Sequence, residues 1–145
     1  MAIRSTQSAL RYLSSRVPDF AGYDDERARR LADEQIRAPL GVALSRLRAR
    51  LEEELPGESA PLFDRLLLAC QFVDQESFTR FEHAVVNDDV IERIASCDRA
   101  LIELADRADE IDGRSLPRFL ADVQAAFAQR SDVTANAAES TALKS

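Results

Sequence analysis

Apolar residues recur at intervals of three and four along most of the chain, which is the spacing of one face of an α-helix. These stripes fall in five segments, over residues 3–16, 24–55, 59–85, 88–111 and 115–130. No segment alternates apolar and polar residues with a period of two, so no strand is predicted. The pattern therefore predicts an all-α fold.

Proline, glycine and short polar residues mark the ends of the segments. Pro18 ends the first, because the residue before a proline is pushed out of the helical conformation. Ser59 and Ser115 begin the third and fifth segments as N-caps. Pro39 lies inside the second segment and is expected to kink or break it. A break is also expected within the third segment, near residues 74–77.

Four main segments with short connectors fit an antiparallel four-helix bundle, preceded by a short extra N-terminal helix. Residues 1–130 are accordingly predicted to form one domain. The last fifteen residues are rich in Ala, Ser and Thr. Residues 131–145 are predicted to be a flexible tail, either disordered or partly helical.

Charge is distributed unevenly along the 145 residues, whose net charge is −7. Residues 1–50 carry ten arginines against six acidic residues, a net charge of +4, and the remainder is therefore at −11. This asymmetry favours either head-to-tail self-association or an acidic partner at the N-terminal end, and a homodimer is one candidate assembly. The alternative is that two charged faces complement each other within one molecule.

The residue types that support catalysis or metal binding are sparse. His83 is the only histidine, and it follows Glu82 in a polar part of the sequence, so it is interpreted as a surface residue. A di-iron site in a helical bundle needs Glu-x-x-His motifs, which the sequence lacks. Cys70 and Cys97 lie in different apolar stripes, without the close pairing that zinc requires. The glycines are isolated, which excludes a phosphate-binding loop. We expect no enzymatic activity, no metal and no cofactor.

The distribution of arginines and apolar residues also indicates the cellular location and the class of ligand. Residues 1–17 are interrupted by three arginines and lack the apolar core of a signal peptide, so a cytoplasmic location is expected. The arginines of the second segment are interleaved with acids, which argues against nucleic acid. Leu10, Leu13 and Val17 form one face of a weakly basic amphipathic helix, which either packs on the bundle or binds a membrane surface peripherally.

Three stretches resemble landmarks of a family of uncharacterised bacterial helical proteins. They are Gly22-Tyr23-Asp24-Asp25-Glu26-Arg27-Ala28-Arg29-Arg30-Leu31-Ala32-Asp33, Cys97-Asp98-Arg99-Ala100-Leu101-Ile102-Glu103-Leu104 and Phe127-Ala128-Gln129-Arg130. Members of that family are encoded near stomatin-like (SPFH) membrane scaffold proteins and zinc-ribbon proteins. The resemblance implies an accessory role at a membrane-associated assembly. The chain departs from it at residues 74–81, where the family has a turn rich in Gly and Tyr.

These observations predict an acidic, non-catalytic helical protein that binds a protein partner. Tyr23, Arg29, Arg30 and Asp33 are the candidate contact residues, because they follow a proline-bounded connector at the start of a long helix. The alternative is structural: Tyr23 packs as a hydrophobic staple and the arginines pair with neighbouring carboxylates.

A second hypothesis is a small-ligand-binding bundle. Four phenylalanines of the third segment would line an apolar pocket between its helices. They are Phe63, Phe72, Phe78 and Phe81. A large cavity with convergent polar groups would support this hypothesis, and a filled core would count against it.

Overall fold

The computed structural model describes the backbone of residues 2–71, 81 and 83–144, and the side chains of residues 9–71, 81 and 83–137. The described residues form five α-helices and contain no strand, which confirms the all-α prediction. A short 3₁₀ helix, Ala108–Glu110, follows the fourth. The helices are α1 (Ala2–Arg16), α2 (Glu26–Arg50), α3 (Ala60–Gln71), α4 (Asp88–Arg107) and α5 (Leu116–Lys144).

Successive helices of the bundle run antiparallel. Near the end of α2, Arg48 Nε lies 2.9 Å from Asp64 Oδ1 near the start of α3, so the two helices form a hairpin. α4 and α5 form a second hairpin through the short connector 111–115. The hairpins are aligned because Arg50, at the end of α2, donates to the Ile111 carbonyl just after α4, 2.7 Å away.

The core is mainly aliphatic and continuous across the described helices. Every helix from α1 to α5 contributes to one cluster of buried apolar side chains. Burial of such a side chain contributes about 1.5–3 kcal/mol. Its largest fully buried members are Phe63, Phe81, Phe119, Leu13, Ile36, Leu40, Leu44, Leu47, Ile94, Leu101, Ile102 and Leu116.

The apolar face of α1 packs on α4. Leu13 and Val17 are buried, and Leu10 is half-buried against the core. Arg16 forms an ion pair with Asp106 on α4, which fixes the C-terminal end of α1. The face that could have bound a membrane surface is therefore largely covered by the bundle.

Short polar side chains stabilise the helix starts. Asp25 caps α2 by accepting from the Ala28 amide at 2.7 Å, and Asn87 caps α4 by accepting from the Val90 amide at 3.0 Å. Ser115 precedes α5 as predicted, but its hydroxyl oxygen accepts from the backbone amide of Asp112, at 3.0 Å. Its side chain thus closes the α4–α5 connector.

The structure bears on two expectations about helix length. Pro39 does not break α2, which continues from Glu26 to Arg50, although a proline in the helix interior leaves the Gln35 carbonyl without its usual donor. The last helix does not end at Arg130, because α5 continues to Lys144 and both Thr134 and Ala137 are buried. The spacing of residues 130, 134 and 137 continues the buried stripe, so the helical alternative holds for the backbone of 131–144. The break predicted near 74–77 lies outside the described residues.

Asp106 gives a pH-dependent contribution to stability. The hydrogen bond from Arg16 holds the pKa of Asp106 below its ordinary value of 3.8. The pair therefore stabilises the fold above that value, and this contribution is lost as the pH falls through the lower pKa of the folded state. Both side chains are more than a third exposed, which limits the effect to less than about 1 kcal/mol.

We expect Asp106→Asn to lower the melting temperature slightly at pH 7, with the difference from the wild type shrinking as the pH falls below 3.8. Asp109→Asn, at an exposed position in the 3₁₀ helix, is the control. Thermal unfolding followed by circular dichroism from pH 7 downward measures this. A difference that grows toward acid would contradict the assignment.

The two cysteines should be unreactive in the folded protein. Burial raises the pKa of both Cys70 and Cys97 to about 11. The thiolate is the reactive form, and at pH 8 its fraction would be on the order of one in a thousand. We expect negligible reaction with a disulfide reagent in the native state and reaction of both thiols in guanidinium. Rapid native labelling would show that these positions open.

Candidate functional site

A buried group of charged side chains joins α2, α4 and α5. Arg130 of α5 lies between Asp33 of α2 and Asp98 of α4. Its Nη1 is 2.9 Å from Asp33 Oδ1, and its Nε is 2.6 Å from Asp98 Oδ1. The three side chains are 7%, 6% and 0% exposed, so bulk water does not screen them. This is the most polar part of the described interior.

Two further residues complete this Arg130 cluster, which comprises Tyr23, Asp33, Arg37, Asp98 and Arg130. The Tyr23 hydroxyl donates to Asp98 Oδ2 at 2.5 Å, and Arg37 Nε lies 3.0 Å from both oxygens of Asp33. Two arginines and two carboxylates give the cluster no net charge. No buried side-chain nitrogen or oxygen among the described residues lacks a hydrogen-bond partner.

Pairing keeps the charges of the Arg130 cluster in place. Burial alone lowers the pKa of Arg130, but the negative charges of Asp98 and Asp33 outweigh it, and the pKa rises overall. Burial, reinforced by Asp98, also holds the pKa of Tyr23 well above its ordinary range. Arg130 therefore stays protonated and Tyr23 stays a neutral donor. Such a tyrosine is a poor general base, because its phenolate is strongly disfavoured.

The connector between α1 and α2 positions Tyr23. Gly22 adopts a φ of +76°, which glycine tolerates without strain. The Gln35 side chain holds the connector from α2: its oxygen accepts from the Ala21 amide and its nitrogen donates to the Asp19 carbonyl, each at 2.8 Å. The conformation of Gly22 and the two hydrogen bonds of Gln35 thus fix the backbone on the N-terminal side of Tyr23.

Arg29 holds the same connector from the other side. Its Nε donates to the Tyr23 carbonyl at 3.0 Å, and its Nη1 donates to the Ala84 carbonyl at 2.8 Å. Its guanidinium also lies over the Phe81 ring, 5.5 Å from the centroid. Arg29 therefore ties the start of α2 to the chain that leads into α4.

The four candidate contact residues divide into an internal group and one exposed residue. Tyr23, Arg29 and Asp33 are 3%, 7% and 4% exposed, and each is held by the internal bonds described above. Only Arg30 is exposed. In the structural alternative, Tyr23 packs as a hydrophobic staple and the candidate arginines pair with neighbouring carboxylates. The burial of Tyr23 agrees with this alternative, while Asp33 pairs with Arg37 and Arg130. Direct binding of a partner through all four is a prediction that this geometry disfavours.

Sequence reasoning missed Asp98 and Arg130 as buried residues, although each occupies a core position of its stripe. Asp98 lies four residues after Ile94 and three before Leu101, both of which are buried. Arg130 lies seven residues after the buried Val123 and four before the buried Thr134. The sequence did contain a signal: an acidic and a basic residue each stand at a position where the helical spacing predicts a buried side chain.

The predicted phenylalanine pocket is not formed by the members that the structure describes. Phe63 lies beneath the Arg48 guanidinium, at 5.9 Å, whereas Phe81 lies beneath that of Arg29. These arginines are separated by about 28 Å along α2. Phe63 and Phe81 are each almost fully buried, so they fill opposite ends of the core. Phe72 and Phe78 lie outside the described residues.

An open groove runs between α2 and α3 on the outer side of their hairpin. Its volume is about 400 Å³. A Cβ on Gly41 would lie 3.2 Å from Cys70 Cβ, so the helices approach closely at its floor. The α2–α3 groove is lined by Arg37, Ala38, Gly41, Val42, Ser45, Arg46, Leu67, Cys70 and Gln71.

Three large exposed apolar side chains lie on the two helices that form this groove. Val42, which lines it, is 52% exposed, and Leu68, one turn before Gln71 on α3, is 54% exposed. Leu31 on α2 is 45% exposed. Of the large apolar side chains exposed in the described part of the chain, only Val85 lies outside α2 and α3.

The described part of the chain offers neither a metal site nor a membrane-spanning helix. Among the described side chains, no group of three His, Cys, Asp or Glu is placed to hold a metal ion. His83 is exposed, with Nδ1 2.8 Å from Glu26 Oε1, as its interpretation as a surface residue predicted. No described helix is both long enough and apolar enough to cross a bilayer.

Comparisons of the chain with protein-family models, with curated proteins and with solved structures find no match. The resemblance to the family encoded near stomatin-like proteins therefore stays a prediction. Its three stretches converge in the fold, since they supply Tyr23, Asp33, Asp98 and Arg130 of the cluster.

Replacing Arg130 tests how strongly the Arg130 cluster supports the fold. Arg130→Met preserves much of the side-chain volume but leaves two buried carboxylates without this partner. Breaking a buried ion pair in this way typically costs about 3–5 kcal/mol. We expect a loss of that size in the free energy of unfolding, measured by urea denaturation.

Arg118→Met is the matched control. Its side chain is on the same helix but 87% exposed. We expect that substitution to change stability by no more than about 0.5 kcal/mol. Equal effects of the two substitutions would show that Arg130 is not a principal contact of the folded state.

Proposed function

We propose that this protein is a non-catalytic helical interaction protein that binds a protein partner through the α2–α3 groove. The observation that carries the proposal is the exposure of Val42 in the lining of a groove of about 400 Å³, with Leu68 also exposed on the α3 helix that forms its other wall. Contiguous exposed apolar side chains on a soluble domain mark interaction surfaces more often than isolated ones do.

The interior supports the same proposal. The Arg130 cluster is electrically neutral and its side chains are 7% exposed or less, apart from Arg37 at 13%. Apart from Arg37, whose side chain also lines the groove, a substrate could reach the polar atoms of the cluster only if the bundle opened. Function is therefore assigned to the surface.

The cellular setting is proposed on sequence grounds. A cytoplasmic location is proposed, as predicted from the sequence. The resemblance described above suggests an accessory role at a membrane-associated assembly. Because Leu13 and Val17 are buried, that role would use a protein contact in preference to the apolar face of α1.

Site-specific photocrosslinking tests the proposal. A photoreactive phenylalanine analogue at position 42 would report on the groove, and the same residue at position 85 is the control. Val85 is 79% exposed but lies outside α2 and α3. We expect a discrete crosslinked protein in the native lysate from position 42 alone, lost when Leu68→Glu is added.

A crosslinked product of the same mass from both positions, or none from position 42, would overturn the groove as the binding surface. Arg30→Glu tests the exposed member of the first candidate set in the same assay. Arg29 is unsuitable for charge reversal, because its bonds to backbone carbonyls hold the fold.

A further inference from the structure

We infer that the occupant of the α2–α3 groove is an amphipathic helix of a partner protein, with acidic residues beside its apolar stripe. This inference rests on the proposed function and specifies the chemistry of the partner. It follows from the shape of the groove and from the sign of its charge.

The shape of the groove fits a helix. One wall is α2, a continuous helix of 25 residues, and the other is α3. Gly41 lets α3 approach α2 at the floor of the groove, and Ala38 and Ser45 are small and exposed, so the side chains of a third helix have room beside them. Val42 presents an exposed apolar side chain to it, and Leu67 lines the α3 wall of the groove. Grooves of this kind accept the i, i+3, i+4 and i+7 side chains of an amphipathic helix.

The charge of the groove selects an acidic partner. The described residues that line the groove include Arg37 and Arg46 and no carboxylate. α2 as a whole carries seven arginines and three acidic residues, within a chain whose net charge is −7. Arg37 shares its charge with Asp33, so the exposed Arg46 is the principal contact for a carboxylate. Complementary charges at a rim favour the correct partner and raise its association rate.

The same charge argues against a second copy of this chain on the groove. A two-fold dimer through this surface brings each α2 against its equivalent. The exposed Arg46 of each copy would then meet a described lining that offers arginines and no carboxylate, which is unfavourable.

Two designed peptides of roughly five helical turns, or about 18 residues, serve as probes. Both carry the same leucine stripe, and their polar positions are Glu in one and Lys in the other. The net charge of −7 would by itself attract the basic peptide, so a preference for the acidic one reports on the local surface. Amide chemical shifts of the isotope-labelled full chain, recorded during titration, locate the binding.

We expect the acidic peptide to shift the amides of Val42, Ser45 and Leu68 and to bind about tenfold more tightly than the basic one. Arg46→Glu should remove or reverse this preference, whereas Arg118→Glu on α5 should leave it unchanged. Both positions are exposed, so neither substitution disturbs the core.

Several results would overturn the inference. They are equal affinity for both peptides, no shifts at the groove, dimerisation through the groove in sedimentation equilibrium, and groove binding to anionic vesicles in place of the peptide. Crosslinking from position 42 to a partner segment that is not acidic would retain the proposed function and reject this inference. If neither the crosslinking nor the peptide titration gives the expected result, both the proposed function and this inference are rejected.

Discussion

The structure depends on the placement of one guanidinium between two buried carboxylates. Arg130 contacts Asp33 and Asp98 on two different helices, and each contact is shorter than 3 Å. Hydrophobic burial is non-directional, so an aliphatic core tolerates helices that slide past each other. A buried charge does not tolerate such sliding, because leaving the charge unpaired costs several kcal/mol. Moving α5 by one turn, about 5.4 Å, would break both ion pairs at once.

The Arg130 cluster also explains the path of the chain before α2. Tyr23 reaches Asp98 only if the connector turns back toward the bundle, and Gly22, Gln35 and Arg29 hold it in that path. The connector therefore belongs to the core of the fold, although its sequence has the proline and glycine of an ordinary loop. Residues 17–25 link α1 to the same contact that sets the position of α5.

The stripes predicted from the sequence agree with the helices because burial follows the helical period. α1 ends before Pro18, and α4 begins after the capping Asn87. The same reasoning places charged residues on the surface, and so it could not place Asp98 or Arg130 in the core. Their pairing joins residues 32 positions apart, and periodicity within one helix carries no information about it. The end of α5 was missed for a related reason, because small and polar residues there continue the buried stripe.

The candidate site was predicted only in part, since sequence spacing identifies which residues share a face but not what opposes that face. Tyr23 and Asp33 were selected as candidates, yet the structure turns both inward. The α2–α3 groove instead depends on the close approach at Gly41 and Cys70, which no pattern within either helix reveals.

Arg37 joins the interior to this surface. Its Nε bonds Asp33 within the Arg130 cluster, a second guanidinium nitrogen donates to the Ala69 carbonyl on α3, and its side chain lines the groove. The same residue therefore satisfies a buried carboxylate and positions α3 against α2. The shape of the proposed binding surface thus rests on the ion pairs that set the register of the bundle.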